Sequence, residues 1–203
     1  MSHSAHSDVT PVFISDENAA DPDRLVTAAR PDTSATMAAT TFAGGGARNV
    51  TVTTSGTGDN AKTCTITGTD VFGNAMTEVI VSTGSAEAVA GAKLFLTVSA
   101  VECSAKYAAN ITVGSGSLCA SAVAGGGRTR MKGYSIVSAG TAGLVDFHNG
   151  TPENGTIIFK AQTLGTDNTT IDNTIPDEGI LFGSGLTVGY TVATVVLANI
   201  FFA

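Results

Sequence analysis

From Phe42 onward, apolar residues alternate with threonine at a period of two, and this pattern constrains the fold more than any other feature. Val50 and Val52 alternate with Thr51 and Thr53, Cys64 and Ile66 with Thr63, Thr65 and Thr67, and Ile111 and Val113 flank Thr112. Successive side chains of a strand point to opposite faces, so the pattern predicts half-buried β-sheets. Residues 76–81 and 94–101 predict further strands, and residues 56–60 and 70–74 carry turn chemistry in their Gly, Asp and Asn. Composition points the same way. Gly reaches 24 and charged residues only 13%, so the chain lacks the Lys, Glu, Arg and Gln that cover long helices. The expected fold class is all-β, with two small sandwich- or barrel-like domains and an extended N-terminal arm.

The domain boundaries follow from shifts in this pattern. Residues 1–41 read as the arm, where Asp8, Asp16, Glu17, Asp21, Asp23 and Asp32 are scattered among Pro11, Pro22 and Pro31. Its one strong apolar triplet, Val12, Phe13 and Ile14, could dock on a neighbouring domain or subunit, and the arm reads equally well as a free tail or a docked one. Residues 42–120 form the first β-sandwich, residues 121–130 a Gly-rich linker around Gly125, Gly126 and Gly127, and residues 131–203 a C-terminal β domain. Strands are expected there at 134–137, 143–147, 156–161, 180–182, 185–188 and 191–202, with Asn149-Gly150 and Asn154-Gly155 as turns. The uncharged run 185–203 approaches the length of a membrane span. Its β-branched residues, with Gly185 and Gly189 punctuating them, predict two strands and no spanning helix. The last strand is apolar on both faces, which places it in the centre of the fold or in a subunit interface. The interface candidates are therefore Val12, Phe13, Ile14, Val195, Leu197, Ile200, Phe201 and Phe202. A homo-oligomer is expected, with a trimer as the specific guess.

No catalytic residue, cofactor-binding residue or metal ligand is expected. A net charge of −7 repels a nucleic-acid backbone, and the cluster Arg128, Arg130 and Lys132 has no interleaved aromatics to stack on bases. Cys64, Cys103 and Cys119 are odd in number and show no CxxC or Cys/His spacing, against a disulfide framework or zinc site. Cys64 reads as a small buried hydrophobe. The polar N-terminus lacks an apolar signal core, so synthesis in the cytoplasm is expected, and no membrane partner. The glycine runs lack the Lys-Ser/Thr ending of a phosphate loop. Asp146 and His148 lie two apart on one side of a strand, where parallel side chains do not line up as nucleophile, base and orienter. His148 is expected at a solvent-facing strand end. His3 and His6 lack a third ligand, and Asp167, Asp172, Asp177 and Glu178 lack the spacing of a calcium loop. A chain without Trp is poorly equipped with sugar-stacking platforms. Asn-x-Thr triplets, as at Asn49 and Asn110, are expected by chance in so Thr-rich a chain.

The segment Ala47-Arg-Asn-Val-Thr-Val-Thr-Thr54, followed by Cys64-Thr-Ile-Thr-Gly-Thr-Asp-Val-Phe-Gly-Asn-Ala-Met-Thr-Glu-Val-Ile80, Phe95-Leu-Thr-Val98 and Ile111-Thr-Val-Gly114, resembles a module of tailed-bacteriophage virion proteins. It covers roughly residues 45–116. The run Ile175-Pro-Asp-Glu-Gly-Ile-Leu-Phe-Gly-Ser-Gly-Leu-Thr-Val188 similarly resembles a β domain of phage structural proteins. The resemblance implies a virion part made in the host bacterial cytoplasm. Its expected role is a capsid decoration or cement protein on the outside of the head, with the major capsid protein as partner. The alternatives are a tail, neck or baseplate component that touches the host surface, a glycan-degrading virion enzyme, and an unrelated bacterial surface protein.

Overall fold

A computed structural model describes residues 8–15, 19–84, 86–166 and 168–203. The chain is all-β, as its alternation predicts, and the described residues contain no helix. The first seven strands are β1 (Thr10–Ser15), β2 (Val26–Ala29), β3 (Ala47–Thr54), β4 (Thr63–Thr69), β5 (Ala75–Val81), β6 (Ala88–Phe95) and β7 (Thr97–Cys103). After these come β8 (Ile111–Ala124), β9 (Thr129–Ser138), β10 (Leu144–Asn149) and β11 (Thr156–Gln162). The chain ends with β12 (Thr169–Thr174), β13 (Ile180–Phe182), β14 (Leu186–Thr191) and β15 (Val195–Phe202). No helix among them is long and apolar enough to cross a membrane, and the run 185–203 is the pair β14 and β15.

Among the described residues the strands form three antiparallel sheets. A seven-stranded sheet runs β11-β10-β14-β8-β3-β6, with β2 also on β8; a five-stranded sheet runs β1-β15-β9-β12, with β13 on β9; a three-stranded sheet runs β5-β4-β7. The 14-residue β8 joins the two halves of the molecule. Its first part pairs with β2 and β3, and its later part with β14, from Thr191↔Leu118 to Leu186↔Ala124. The expected linker at 121–130 is therefore corrected: residues 121–124 are strand, and the chain turns only at Gly125, Gly126 and Gly127 before β9. The three glycines suggested a connector, yet the small Ser and Ala residues before them are held extended by backbone hydrogen bonds to neighbouring strands. The single strand expected at 94–101 is also corrected. It breaks at Leu96, whose amide donates to the Thr69 carbonyl (2.8 Å), because β6 belongs to the seven-stranded sheet and β7 to the three-stranded one.

Each end of the long sheet packs against a smaller sheet around its own core. The C-terminal core holds Val145, Phe147, Leu186 and Val188 against Met131, Tyr134, Ile136, Val195, Ala198 and Ile200. Tyr134, Phe147 and Phe159 form a tilted aromatic triangle with centroids 5.4 to 5.7 Å apart, the geometry that ring quadrupoles favour. The N-terminal core holds Val50, Val52, Ile111 and Val113 against Cys64, Ile66, Val98 and Val101, with Phe95 and Tyr107 fully buried among them.

The arm docks on its own chain. Leu25 and Val26 enter the N-terminal core, while β1 adds to the edge of β15. Between them the backbone at Asp21 lies on β8, where the Ser115 amide donates to the Asp21 carbonyl (2.7 Å) and the Asp21 amide to Ser115 Oγ (2.9 Å). This crossing needs Gly114, since a Cβ there would stand 2.0 Å from the Asp21 carbonyl oxygen. The expected turn at 70–74 is closed by Asp70, whose Oδ1 accepts the amides of Phe72 (2.8 Å) and Asn74 (2.9 Å).

Candidate functional surface

The two segments expected as interfaces pair with each other. β1 runs antiparallel to β15 in the register Val12↔Ile200, Phe13↔Asn199 and Ile14↔Ala198. Ile14, Val195 and Ile200 are buried in the C-terminal core, which takes them off the surface of the chain and corrects their assignment as contact residues. Val12 and Phe202 are partly buried against the same core, and Leu197 and Phe201 are half-buried. Phe13 alone of the eight is fully presented, at 63% exposure. The last strand lies inside its sheet, between β1 and β9, with Val195, Ala198 and Ile200 buried and Leu197 and Phe201 half-buried.

A better-formed surface lies on the long sheet, where the two halves of the molecule meet. A cavity of about 210 Å³ opens between β6, β8, β10 and β14, beneath Pro152 and Glu153. Its rim carries the exposed leucines Leu118 (41%) and Leu144 (48%). Alternation on β10 explains the second of these: Val145 and Phe147 point into the core, which leaves Leu144 and Asp146 outward. Asp146 pairs with Lys160 across the β10–β11 ladder, Oδ1 to Nζ at 3.3 Å. Glu153 Oε1 accepts the Leu94 amide (2.7 Å) and so ties the loop after β10 to the N-terminal half.

His148 contradicts its expected place at a solvent-facing strand end, because it is 8% exposed and lines this cavity. The side chain stays on the outward face of β10 with Leu144 and Asp146, and it is enclosed there because the cavity is also walled by Pro152 and Glu153. Gly189 on the neighbouring strand makes room, since a Cβ there would sit 3.3 Å from His148 Nε2. Burial pushes the imidazole below its ordinary pKa, against the smaller opposing pull of the Asp146 and Glu153 carboxylates. The ring is thus neutral near pH 7, and its Nδ1 makes no hydrogen bond.

The other polar groups of the wall are engaged locally. Cys119 directs its Sγ–H to the Ser117 carbonyl (3.6 Å) and Thr191 its Oγ1–H to Thr194 Oγ1 (3.3 Å). Neither pairing is the nucleophile-to-base contact that hydrolytic chemistry requires. With carboxylates already paired, a neutral imidazole and a leucine rim, the concavity is suited to gripping an apolar protein surface by shape. Sequence reading weighed Asp146 and His148 as part of a triad, rejected it and set His148 at a solvent-facing strand end, and it missed Leu118, Leu144 and Glu153. An apolar residue at an outward position of an alternating strand was the available signal for Leu144.

The basic cluster and the acidic loop account for each other. Arg130 Nη2 lies 2.9 Å from Glu178 Oε2, and Lys132 Nζ donates to the Asp177 carbonyl (3.2 Å), both clasping the turn before β13. Asp172 lies in β12, the strand next to β9. His3, His6 and Asp167 lie outside the described residues.

Compared with protein-family models, curated protein sequences and solved structures, the chain matches none.

Proposed function

We propose that this chain is a non-catalytic structural protein of a tailed-bacteriophage virion, a capsid decoration protein that binds the outside of the head and stabilises the shell. The observation that carries the reading is the leucine-rimmed concavity on a continuous seven-stranded sheet, whose two ends are each backed by a separate core. A protein that ties shell subunits together must hold its contact surfaces at fixed separation, and a strand shared by two cores does this without a hinge. Of the segments that resemble phage virion modules, β3 to β5 and the start of β8 lie in the N-terminal half of this body, and β13 and the start of β14 in the C-terminal half. The partner is the major capsid protein of the head.

The test is to mix the purified protein with undecorated, expanded capsids and sediment them. The proposal expects saturable co-sedimentation that the double substitution Leu118→Asp and Leu144→Asp weakens at least tenfold, with circular dichroism unchanged. No co-sedimentation of the native chain would overturn it. The trimer expectation rests on the two apolar faces of β15, of which Ala198 and Ile200 are buried and Leu197 and Phe201 half-buried, and light scattering of the free protein decides the oligomeric state.

A further inference from the structure

Of the three cysteines, two are brought together. Cys64 and Cys103 stand directly opposite each other on β4 and β7, with sulfurs 3.8 Å apart, and both thiols are free. The ladder type follows from the neighbouring bond. The Ser104 amide donates to the Thr63 carbonyl (3.0 Å), so the hydrogen bonds flank the cysteine pair, and Cys64 and Cys103 form a non-hydrogen-bonded pair. Opposed residues of that type have Cα atoms ~4.5 Å apart and the closer side chains, inside the span that a disulfide bridges. The N-terminal core packs around both sulfurs, which keeps them facing each other.

We propose that Cys64 and Cys103 are a latent cross-strand disulfide, reduced when the chain is made and closed by a peroxide or another small two-electron oxidant. The pair lies at an end of its sheet, at the second residue of β4 and the last of β7. Ends of sheets open more readily than their middles, which gives a small oxidant its route. The two thiols are not equivalent. The Cys103 S–H favours the Cys64 thiolate, Tyr107 Oη lies 3.3 Å from the same sulfur, and together they outweigh burial and lower the Cys64 pKa. Cys103 is raised, first by the same contact and then by burial. Cys64 is thus the attacking sulfur.

The Cys64 thiolate takes one oxygen of the peroxide, the O–O bond breaks, and the departing hydroxide picks up a proton to leave as water. Cys103 then attacks the sulfenic sulfur, its proton goes to the hydroxyl that departs, and the S–O bond breaks. Two thiols and one peroxide become one disulfide and two waters. The bond closes a loop between positions 39 apart and restrains the unfolded chain accordingly.

The experiment treats the folded full-length chain with hydrogen peroxide, quenches it, unfolds it, and counts alkylatable thiols by intact mass. The proposal expects three thiols before treatment and one after, with a disulfide-linked peptide pair containing Cys64 and Cys103. It also expects melting to rise by roughly 10 °C, reversibly with dithiothreitol. Three thiols remaining, sulfinic or sulfonic acid without a cross-link, or linkage through Cys119 would each overturn it. Peptide mapping needs no variant, and Cys119→Ser, which leaves the pair intact, must still lose both its thiols.

Discussion

The two cores of this molecule sit at opposite ends of one sheet but are held differently. The C-terminal core is closed by strand pairing between the distant ends of the chain, β1 on β15 and β15 on β9, around an aromatic triangle. The N-terminal core is closed by polar side chains that tie its loops. Asp59 is the main tie: its buried carboxylate takes the Lys62 ammonium (2.7 Å) and the amides of Ala108 (2.6 Å) and Ala109 (3.0 Å). Burial opposes ionisation of this carboxyl, but Lys62 and the two amides prevail and hold it below the usual carboxylate range. Apolar strands long enough to pair can seal a core by themselves, whereas a core bounded by loops needs charged groups to fix them. The N-terminal half is therefore where redox state and the larger of the two pH effects act.

The difference can be broken from either side. The largest effect is expected from Phe147→Ala, which empties the aromatic triangle and costs about 3–5 kcal/mol in urea denaturation. Hydrogen exchange should localise the loosening to β9, β10 and β15. Ile14→Ala removes the side chain that β1 sends into the same core and costs about 2–3 kcal/mol, at the low end for a core isoleucine because β1 is an edge strand. Equal loosening of β4 and β7 in either variant would mean that the cores are one unit.

Asp59→Ala leaves the Ala108 and Ala109 amides without their acceptor and costs about 1–3 kcal/mol, with loosening confined to the N-terminal half. Its pH dependence sharpens the point. The folded carboxyl titrates below its unfolded value of about 4, so its contribution is full above that value and is lost as pH falls through the folded pKa. Melting of the native chain should drop across that acid window, and the variant should drop less. The smallest effect belongs to His148. Its folded pKa is also depressed, so the unfolded chain binds the proton first, and stability falls as pH drops below the ordinary histidine value of about 6.5. His148→Gln should flatten that shallow slope, and an unchanged slope would contradict the burial of the ring.

Much of this architecture was legible where burial is one-sided. β4 and β10 follow their alternation because one face of each is apolar, β3 alternates in sequence although both its faces are covered, and β14 and β15 were separable by their β-branched residues. The rest depends on partners that a linear pattern does not display. The later part of β8 is Ser- and Ala-rich and holds its strand form through its neighbours. β12, Thr169–Thr174, carries Asp172 and Asn173 and reads as a polar loop until its pairing with β9 is seen. That Val12, Phe13 and Ile14 meet the last strand is a contact between the two ends of the chain, so both apolar segments looked unpartnered. The burial of His148 rests on the cavity wall that Pro152 and Glu153 complete and on the absent side chain of Gly189, neither of which is a property of His148 itself. The cysteine pair was hidden for the same reason, since only the register of β4 against β7 brings Cys64 to Cys103.

The proposed function has one direct test, which is to image capsids incubated with the native chain by cryo-electron microscopy and count copies per particle. The account predicts density repeating over the outer surface of the head, in hundreds of copies, with the concavity edged by Leu118 and Leu144 against the major capsid protein. Density confined to the tail, neck or baseplate in a handful of copies would contradict it.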